Sequence, residues 1–413
     1  MNISSNHARK VFFYSPGEIA PGGSGSALRQ FSNLRAYLDL GFDVEVFQFF
    51  QRGAKTPAKL NAPIQWSQFE YTPRPPSLLK RFAFYAGVPR RAILETIFPA
   101  RPFVANILRA NAAREPNAIH HFEYIDVASA ALDASDIKSV WSCHDIFSRR
   151  IPLLWEMRAE GEEKETRYRR ARVQNLRRAE DWVARSNNLI LNIAIHEQQE
   201  FQQRGYQHAE FFPMSWANES PAPRRRAWMS GGILRLLHLG SVDGFLGYDS
   251  LRFILEKVFP LLPANFLQRV ELQVAGKIGE SDFARKIRQL AEPYPQVKFL
   301  GFVDDVKALY SGCDLQVVGG VRATGMRTRI IESFVYGVPV LSTTESARGV
   351  AHLTPNENIL LADEPPAFAA ELQALTPQKL DSLARAARQT YDQFYARPVA
   401  AAKLAELLEK YIR

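Results

Sequence analysis

Residues 320–343 read GVRATGMRTRIIESFVYGVPVLST. A loop of glycine and threonine leads to Arg327 and Arg329, then to Glu332, and then to a helical pattern that ends at Gly337. The apolar run that follows is typical of a strand returning to a buried sheet. This stretch therefore predicts a loop, a helix and a parallel strand, with charged side chains where the helix begins.

The same alternation of apolar runs and helical patterns extends in both directions from this stretch. Strand candidates are KVFFYS, FDVEVFQFF, AIHHF, SVWSCHD and NLILNIA in the first half and ILRLLHLGS, VELQVAG, VKFLGFV, DLQVVGG and PVLST in the second. Strands that alternate with helices of about 10–15 residues indicate parallel sheets with crossover helices. Two such runs predict an α/β chain with two Rossmann-like, doubly wound domains.

The length of 413 residues also favours more than one domain, because single cores rarely grow that large. The stretch ESPAPRRRAWMSGG is rich in proline, arginine and glycine and has no periodicity, which is typical of a linker. We expect a first domain at 1–218, a linker at 219–232 and a second domain at 233–390. Residues 391–413 are expected to form a helix that packs back on the first domain.

The formal charge of +9 and the pI near 9.5 favour an anionic partner such as a phosphorylated small molecule, a membrane surface or a nucleic acid. The arginines are dense at 149–185, but no zinc-finger spacing, heptad pattern or aromatic RNA-binding signature accompanies them. Nucleic acid is therefore the less favoured partner.

The sequence contains no run of 18 apolar residues and does not start like a signal peptide. Its two cysteines, Cys143 and Cys313, lie in apolar surroundings, which favours buried thiols over a disulfide or a metal site. We expect a cytoplasmic protein.

The glycine-rich stretch PGGSGSALR at 21–29 lies between the first strand candidate and the first helical pattern. Glycines here, Gly23 among them, would let the backbone approach a ligand and expose helix amides to an anion. The alternative is an ordinary turn in which Ser24 and Ser26 cap the helix.

Histidines and carboxylates follow two strand candidates of the first half. AIHHFEYID and SCHDIFSRR contain His120, His121, Glu123, Asp126, His144 and Asp145. Their spacing does not suit zinc. Such residues at strand ends suit hydroxyl recognition or proton transfer, although each histidine could also be a packing residue.

The loop before the quoted helix has the composition of a nucleotide-sugar site. Thr324 and Gly325 lie in a flexible loop, and helix amides together with Arg327 and Arg329 could hold a diphosphate. Glu332 could accept hydrogen bonds from two vicinal hydroxyls, as on a ribose. The alternative is a solvated helix with an internal Arg–Glu pair.

These motifs resemble those of GT-B glycosyltransferases of the large retaining family 4 type, also called glycosyl transferases group 1. The segments that carry the resemblance are GFVDDVKALYSGCDLQVV, TGMRTRIIESFVYGVPVLST, LHLGSVDGF, VELQVAGKIG, HHFEYID, SCHDIF and PGGSGSALRQFSNLRAYLDLGFDVEVF. The likeness spans about 11–408 and is strongest over 234–343. It departs from the family at Thr324, where the first glutamate of an E-x7-E pair is usual, and in GSVDGFLGYDSL, which has no lysine.

The resemblance implies two Rossmann-like domains that face a central cleft, with the acceptor on the first domain and the nucleotide sugar on the second. The donor-binding residues that it implies, together with those argued above, are Gly23, Gly240, Ser241, Thr324, Gly325, Arg327, Arg329 and Glu332. Glu332 would bind the ribose, and the two arginines would lie on the phosphate side. The expected catalytic residues, near the transferred sugar, are His121, His144 and Asp145.

We therefore expect transfer of a sugar from a nucleotide diphosphate sugar to a glycan, a lipid-linked acceptor or another hydroxyl acceptor, with retention and with neither metal nor cofactor. One alternative is a nucleotide-sugar epimerase of the same fold, which would use Glu123 and Asp126. The other is a basic nucleic-acid-binding protein that uses the arginines at 149–185.

The segment 77–103, SLLKRFAFYAGVPRRAILETIFPARPF, interleaves basic and aromatic residues, and its prolines exclude a spanning helix. This pattern suits an anionic membrane surface, although its apolar residues could instead fill the core. Here Arg90 and Arg91, together with Glu123, are the expected acceptor-binding residues. Docking there would place the protein peripherally on the inner face of the membrane.

Overall fold

The computed structural model of the chain describes most of the sequence. The described residues are 9–54, 56, 59–60, 64–73, 77–87, 89–134, 136–158, 166–216, 220 and 232–412. The chain divides into two compact units, Met1–Ala217 with Arg397–Arg413 and Asn218–Ala396. Apart from Ser220 and Gly232, the predicted linker at 219–232 lies outside the described residues.

The first unit contains the elements up to residue 217. Its strands are β1 (Lys10–Ser15), β2 (Asp43–Gln51), β3 (Gln65–Tyr71), β4 (Ile119–Glu123), β5 (Lys138–Cys143), β6 (Leu189–Asn192) and β7 (Ala209–Phe211). Its helices are α1 (Gly25–Asp39), α2 (Leu78–Ala86), α3 (Arg90–Ile97), α4 (Arg101–Arg114), α5 (Tyr124–Ala128), α6 (Phe147–Arg158), α7 (Arg167–Ser186) and α8 (Ile195–Gln203).

The second unit repeats the alternation. Its strands are β8 (Leu234–Leu239), β9 (Val270–Ala275), β10 (Val297–Gly301), β11 (Leu315–Val318), β12 (Val340–Ser342) and β13 (Leu360–Leu361). Its helices are α9 (Phe245–Arg252), α10 (Ala264–Leu267), α11 (Asp282–Ala291), α12 (Val306–Ser311), α13 (Thr328–Val335), α14 (Thr344–Ala347), α15 (Pro365–Gln373) and α16 (Pro377–Phe394). The last helix of the chain, α17 (Arg397–Tyr411), belongs to the first unit.

Both sheets are parallel throughout their described strands. The seven strands of the first run in the order β3-β2-β1-β4-β5-β6-β7, and the six of the second in the order β10-β9-β8-β11-β12-β13. In each sheet the chain starts in the middle, builds one side and then crosses to build the other. This is the doubly wound, Rossmann-like order that the sequence predicts, and it confirms the α/β fold class.

Burial explains why the central strands form. The β1 segment is apolar on both sheet faces, as expected for a parallel strand covered by helices on each side. Phe12 packs in a core under α4, whereas Phe13 packs in a second core with Tyr37 of α1. In the second unit a further core gathers around β8, β9 and β11.

Local signals fix the helix ends near the predicted loops. Ser24 caps α1, because its side chain accepts a hydrogen bond from the Ala27 amide. Helix α13 ends before Gly337, whose φ of 67° is a left-handed conformation that favours glycine. Helix α17 packs on α1, where Arg397 forms an ion pair with Asp39 at 2.5 Å.

Within the described ranges, no helix combines the length and the apolar character needed to cross a membrane. Cys143 and Cys313 are both buried thiols rather than halves of a disulfide, as the sequence predicts.

Candidate functional site

Glu123 is the last residue of β4, and its carboxylate is enclosed at the carboxyl edge of the first sheet. The residue is 0% exposed. Its Oε1 lies 3.0 Å from His121 Nε2 and accepts a hydrogen bond from Asn33 Nδ2 at 2.8 Å. Its Oε2 lies 2.6 Å from His144 Nε2. The predicted residues Glu123, His121 and His144 therefore form one cluster, which includes Asn33 from α1.

The charge of this cluster is balanced inside the first unit. Burial raises the pKa of Glu123, but hydrogen bonds from His121 and His144 outweigh it and hold the pKa below its usual range. Arg29 of α1 is fully buried, and burial lowers its pKa to about 10 although the field of Glu123 opposes this. Arg29 Nη1 donates to the Phe212 carbonyl at 2.9 Å. A buried cation thus accompanies the buried carboxylate.

His121 is fully buried and uses both of its ring nitrogens within the protein. Its Nδ1 lies 3.1 Å from the Tyr37 hydroxyl, and its ring stacks on Phe13 with centroids 4.6 Å apart. Because the His121 proton lies on the Nε2 that faces Glu123, Nδ1 of the neutral ring accepts a hydrogen bond from the Tyr37 hydroxyl. Burial raises the pKa of Tyr37. This predicted catalytic residue therefore lies inside the unit rather than at its surface.

His144 is the member of the cluster that reaches solvent. It is 7% exposed, and its Nδ1 makes no hydrogen bond to any described residue. Tyr124 stacks on its ring with centroids 3.8 Å apart. Tyr124 has a φ of 65°, a strained conformation for a bulky residue, and its hydroxyl bonds to Ser26 of the glycine-rich stretch. The loop that contains Gly23 is thereby joined to His144.

Asp145 and Asp126 lie beside this cluster but do not bond to its histidines. Asp145 Oδ2 pairs with Arg150 Nη1 at 2.7 Å. Burial raises the pKa of Asp126 to about 6, against its own backbone hydrogen bond and the field of Arg150. The epimerase alternative needs Glu123 and Asp126 at the substrate, whereas Glu123 has no exposed surface.

Arg90 and Arg91 lie on α3 and are both exposed. Arg91 Nε donates to Glu95 at 2.7 Å, and the Arg90 guanidinium lies 6.0 Å from the Trp182 ring. No contact among the described residues joins either arginine to His144.

Two glycines bring loops together at the carboxyl edge of the second sheet. Gly240 follows β8 with a φ of 136°, and Gly276 follows β9 with a φ of 129°. A Cβ at Gly276 would lie 2.4 Å from the Gly240 carbonyl oxygen, so neither loop leaves room for a side chain there. The exposed Ser241 donates its hydroxyl to the Lys277 carbonyl at 3.3 Å.

Arg329, in the first turn of α13, brings its guanidinium to these glycines. Its Nη1 lies 3.2 Å from His238 Nε2, and a Cβ at Gly240 would lie 2.7 Å from its Nη2. Burial lowers the pKa of Arg329, although Tyr310 and Glu332 raise it. No carboxylate of the described residues lies within ion-pair distance of this guanidinium. A partly buried cation without an acidic partner is a place for an anion.

The predicted loop is held by Arg327 and by Asp249, which the sequence did not single out. Arg327 Nη2 donates to the Arg322 carbonyl at 2.9 Å. Asp249 Oδ2 accepts from the Val321 amide at 2.9 Å, and burial raises its pKa. The sequence signal for Asp249 is that it lies in α9, the helix that directly follows the loop containing Gly240.

Thr324 is partly buried in the same loop, and Gly325 is buried with a φ of 56°. A Cβ at Gly349 would lie 2.2 Å from the Gly325 carbonyl oxygen, so the loop presses against the segment after α14. Glu332 is partly buried one turn further along α13, within electrostatic range of Arg329 and Tyr310.

Lys277 is a second residue near the candidate site that the sequence analysis did not single out. It follows β9, its side chain is 77% exposed, and its Nζ lies 3.9 Å from Asp243 Oδ2. The loop after β8 has no lysine, but the neighbouring strand end provides one. No group of His, Cys, Asp and Glu in the described ranges is arranged to hold a metal ion.

The second unit matches a known family. Residues 234–377 match the family described as "Glycosyl transferases group 1". A search of curated proteins gives no match.

Solved structures resemble the whole chain at low identity. HepE from Anabaena in complex with UDP has a TM-score of 0.68 at 17% identity, covering 97% of this chain and 100% of that one. Sucrose-phosphate synthase from Thermosynechococcus elongatus has a TM-score of 0.69 at 14% identity, with 97% and 99% covered. The lipopolysaccharide outer core galactosyltransferase WaaB has a TM-score of 0.64 at 13% identity, with 97% and 99% covered.

Identities this low show the fold alone, whereas the family match concerns the sequence of the second unit. The chain has the GT-B fold, its residues 234–377 match the model of the glycosyl transferases group 1 family, and the protein is a glycosyltransferase.

Proposed function

We propose that the protein transfers a sugar from a uridine diphosphate sugar to a hydroxyl of a lipid-linked glycan, with retention and without a metal ion. The observation that carries the proposal is the Arg329 guanidinium, which lies against Gly240 with no carboxylate partner among the described residues. Such a cation is energetically costly in a free protein and is stabilised by a bound diphosphate.

The surrounding residues suit the rest of the donor. The loop at 320–327 and the first turn of α13 offer backbone amides to the phosphates, and Lys277 supplies a second cation nearby. Glu332 would accept hydrogen bonds from the ribose hydroxyls. Its place one turn beyond Arg329 gives the phosphate-then-ribose order of a nucleotide.

The choice of uridine draws on the structural neighbours. HepE has been solved in complex with UDP and with UDP-glucose. The shared fold makes a uridine donor the first to test, while the identity of the sugar is left to the experiment.

The proposed reaction needs no metal, because cationic side chains and helix amides can neutralise the leaving diphosphate. Thr324 stands where the first glutamate of an E-x7-E pair is usual, so that position supplies no carboxylate to the sugar. We propose that the acceptor attacks the face of the sugar from which the diphosphate leaves, assisted by the leaving phosphate. Retention is then checked from the anomeric configuration of the product by NMR.

A thermal-shift screen against UDP, GDP, ADP, CMP and dTDP tests the donor site. A ligand at about 100 times its Kd should add roughly 2.7 kcal/mol of stability. We expect UDP to stabilise the wild type and Arg348→Ala, an exposed arginine paired with Glu345. Arg329→Ala should lose most of this effect. No stabilisation of the wild type by any of the five would argue against a nucleotide-sugar site.

The proposal of a lipid-linked acceptor is based on a surface formed by α2 and α7, two helices that lie far apart in the sequence. Phe82 and Tyr85 of α2 are 74% and 45% exposed, and Tyr168 of α7 is 43% exposed. The rings of Tyr85 and Tyr168 lie 6.2 Å apart. Asn175 of α7 fixes the two helices, because its Nδ2 donates to the Phe84 carbonyl at 2.8 Å.

Basic residues lie on both sides of Tyr168 in the sequence of α7. Arg167 and Arg170 of α7 are exposed and have no acidic partner among the described residues, whereas Arg91 of α3 is paired with Glu95. Exposed aromatic rings beside unpaired arginines suit the headgroup region of an anionic bilayer, where each base contributes about 1 kcal/mol. Helix α7 therefore carries more of the proposed membrane contact than α3.

Co-sedimentation with anionic vesicles at low salt tests this surface. The wild type and Arg109→Glu, an exposed residue of α4, should pellet with the vesicles, and Arg167→Glu/Arg170→Glu should not. A wild type that stays in the supernatant would leave a freely diffusing acceptor as the better proposal.

A further inference from the structure

The three donors to Glu123 are distributed unevenly over its two oxygens. Oε1 receives Asn33 Nδ2 at 2.8 Å and His121 Nε2 at 3.0 Å, whereas Oε2 receives only His144 Nε2 at 2.6 Å. The residue has no exposed surface, so a substrate cannot contact it directly. Any effect of Glu123 on the reaction must pass through its partners.

The hydrogen bonds define the protonation of both histidines. A carboxylate only accepts hydrogen bonds, so the two Nε2 atoms that face Glu123 are the ring nitrogens that carry protons. His121 Nδ1 accepts from the Tyr37 hydroxyl at 3.1 Å. His144 Nδ1 has no partner among the described residues, and His144 is the histidine of this pair that reaches solvent.

The ring of His144 is also fixed in orientation. Tyr124 covers one face at a centroid distance of 3.8 Å and is itself held by its bond to Ser26. The 2.6 Å bond to Glu123 fixes the in-plane rotation. A ring restrained in this way presents Nδ1 in one direction.

We propose that Glu123 is a positioning residue that holds His144 in the tautomer with its proton on Nε2, so that Nδ1 accepts a hydrogen bond from a sugar hydroxyl of the substrate. This inference rests on the proposed function, which gives the protein a sugar substrate. The second nitrogen of a histidine is set by the partner of the first. Glu123 thereby selects a ligand group that donates a hydrogen bond at this point.

The uneven distribution of donors makes Glu123→Gln an informative change. The carbonyl oxygen of the glutamine must take the Oε1 place, because Asn33 and His121 both donate there. Its amide NH₂ then faces His144 Nε2, which must accept a hydrogen bond. The proton of His144 should therefore move to Nδ1, and Nδ1 should become a donor.

NMR of protein labelled with ¹⁵N in its histidines tests this directly, with His144→Phe used to assign the signals. The wild type should show the proton of His144 on Nε2, and Glu123→Gln should show it on Nδ1. Glu197→Gln changes another buried carboxylate, which accepts from the Ile146 amide, and should leave the tautomer unchanged. If His144 of the wild type carries its proton on Nδ1, the inference is wrong. It is also wrong if Glu123→Gln folds and His144 keeps its proton on Nε2.

Kinetics then separate positioning from a structural role. With the nucleotide sugar that stabilises the wild type, kcat/KM of Glu123→Gln should fall about 10- to 100-fold, because the hydroxyl that donates to Nδ1 in the wild type must reorient to accept from it in the variant. Stabilisation by UDP should be retained, since its proposed contacts lie in the other unit. Unchanged kcat/KM with a switched tautomer would overturn the role of Nδ1. If UDP fails to stabilise even the wild type, the proposed function fails while the tautomer result still stands.

Discussion

The two sheets share a strand order, but the charged side chains at their carboxyl edges are paired differently. At the first edge, Glu123 has three hydrogen-bond donors, and the buried Arg29 provides a counter-charge in the same unit. At the second edge, the Arg329 guanidinium has a neutral histidine and two glycine loops around it, and no acid within ion-pair distance among the described residues.

At the first edge the buried carboxylate has its donors within the unit, whereas at the second edge the guanidinium has no carboxylate partner among the described residues. Buried charges in proteins are normally paired, so we propose that the acidic partner of Arg329 is supplied by a ligand. We propose that the first edge orients a side chain and that the second receives an anion. The same topology can do both because the loops after the strands, and not the strands, carry the chemistry.

Filling the space beside Arg329 should have the largest effect. Gly240→Ala places a Cβ 2.7 Å from Arg329 Nη2 and forces alanine to a φ of 136°. Strain and displacement of the arginine should together cost about 3 kcal/mol, seen mainly as weaker UDP binding in titration calorimetry. The matched control is Gly244→Ala, whose Cβ would meet nothing within 4 Å. Equal loss in both variants would contradict the special role of Gly240.

The first edge should respond to pH through Asp126. Its folded pKa of about 6 lies above its ordinary value of 3.8, so its contribution to stability is fully present below pH 3.8 and is lost as the pH rises through about 6. Asp126→Asn should therefore stabilise the protein by about 2 kcal/mol at pH 8 and have no effect near pH 3.5. Urea unfolding at both pH values measures this. A gain of the same size at both would show that burial of the charge is not the cause.

Glu332→Gln should weaken the nucleotide part of the second edge without unfolding it. An amide accepts hydrogen bonds from two hydroxyls less well than a carboxylate, which should cost about 1–2 kcal/mol of UDP binding. Glu345→Gln provides the control, because Glu345 is paired with Arg348 in the neighbouring α14. If both variants bind UDP like the wild type, Glu332 does not contact the ribose.

Removal of divalent metals should have the smallest effect. If Arg329 and the loop amides neutralise the diphosphate, activity with the stabilising nucleotide sugar should be the same in buffer and in EDTA. A loss that magnesium or manganese restores specifically would mean that a metal, and not the arginine, carries that role.

Local patterns predicted the second edge better than the first. The glycines and arginines of the loop at 320–329 and Glu332 lie within a dozen positions, so periodicity and spacing indicated a donor site. The arrangement of Glu123 depends on Asn33 and His144, which come from other elements and become neighbours only when the sheet forms. No local pattern shows that a strand-terminal glutamate will be enclosed by them.

Two peripheral features of the first unit were also not predicted from the sequence pattern. Strand β3 contains Gln65, Ser67, Gln68 and Glu70, because it lies at the edge of its sheet and is only partly covered. Its polarity hid the period-two signal. The surface of α2 and α7 was likewise hidden, because Tyr85 and Tyr168 lie far apart in the sequence and meet only in the folded unit.

The central claim is that Arg329 binds a diphosphate, and a comparison of UDP with uridine in titration calorimetry tests it most directly. In EDTA, the wild type should bind UDP at least about 100-fold more tightly than uridine, which corresponds to about 2.7 kcal/mol from the phosphates. In Arg329→Ala most of that difference should vanish while uridine binding is unchanged. If Arg329→Ala keeps the full preference for UDP, the diphosphate binds elsewhere and the account of the second edge is wrong.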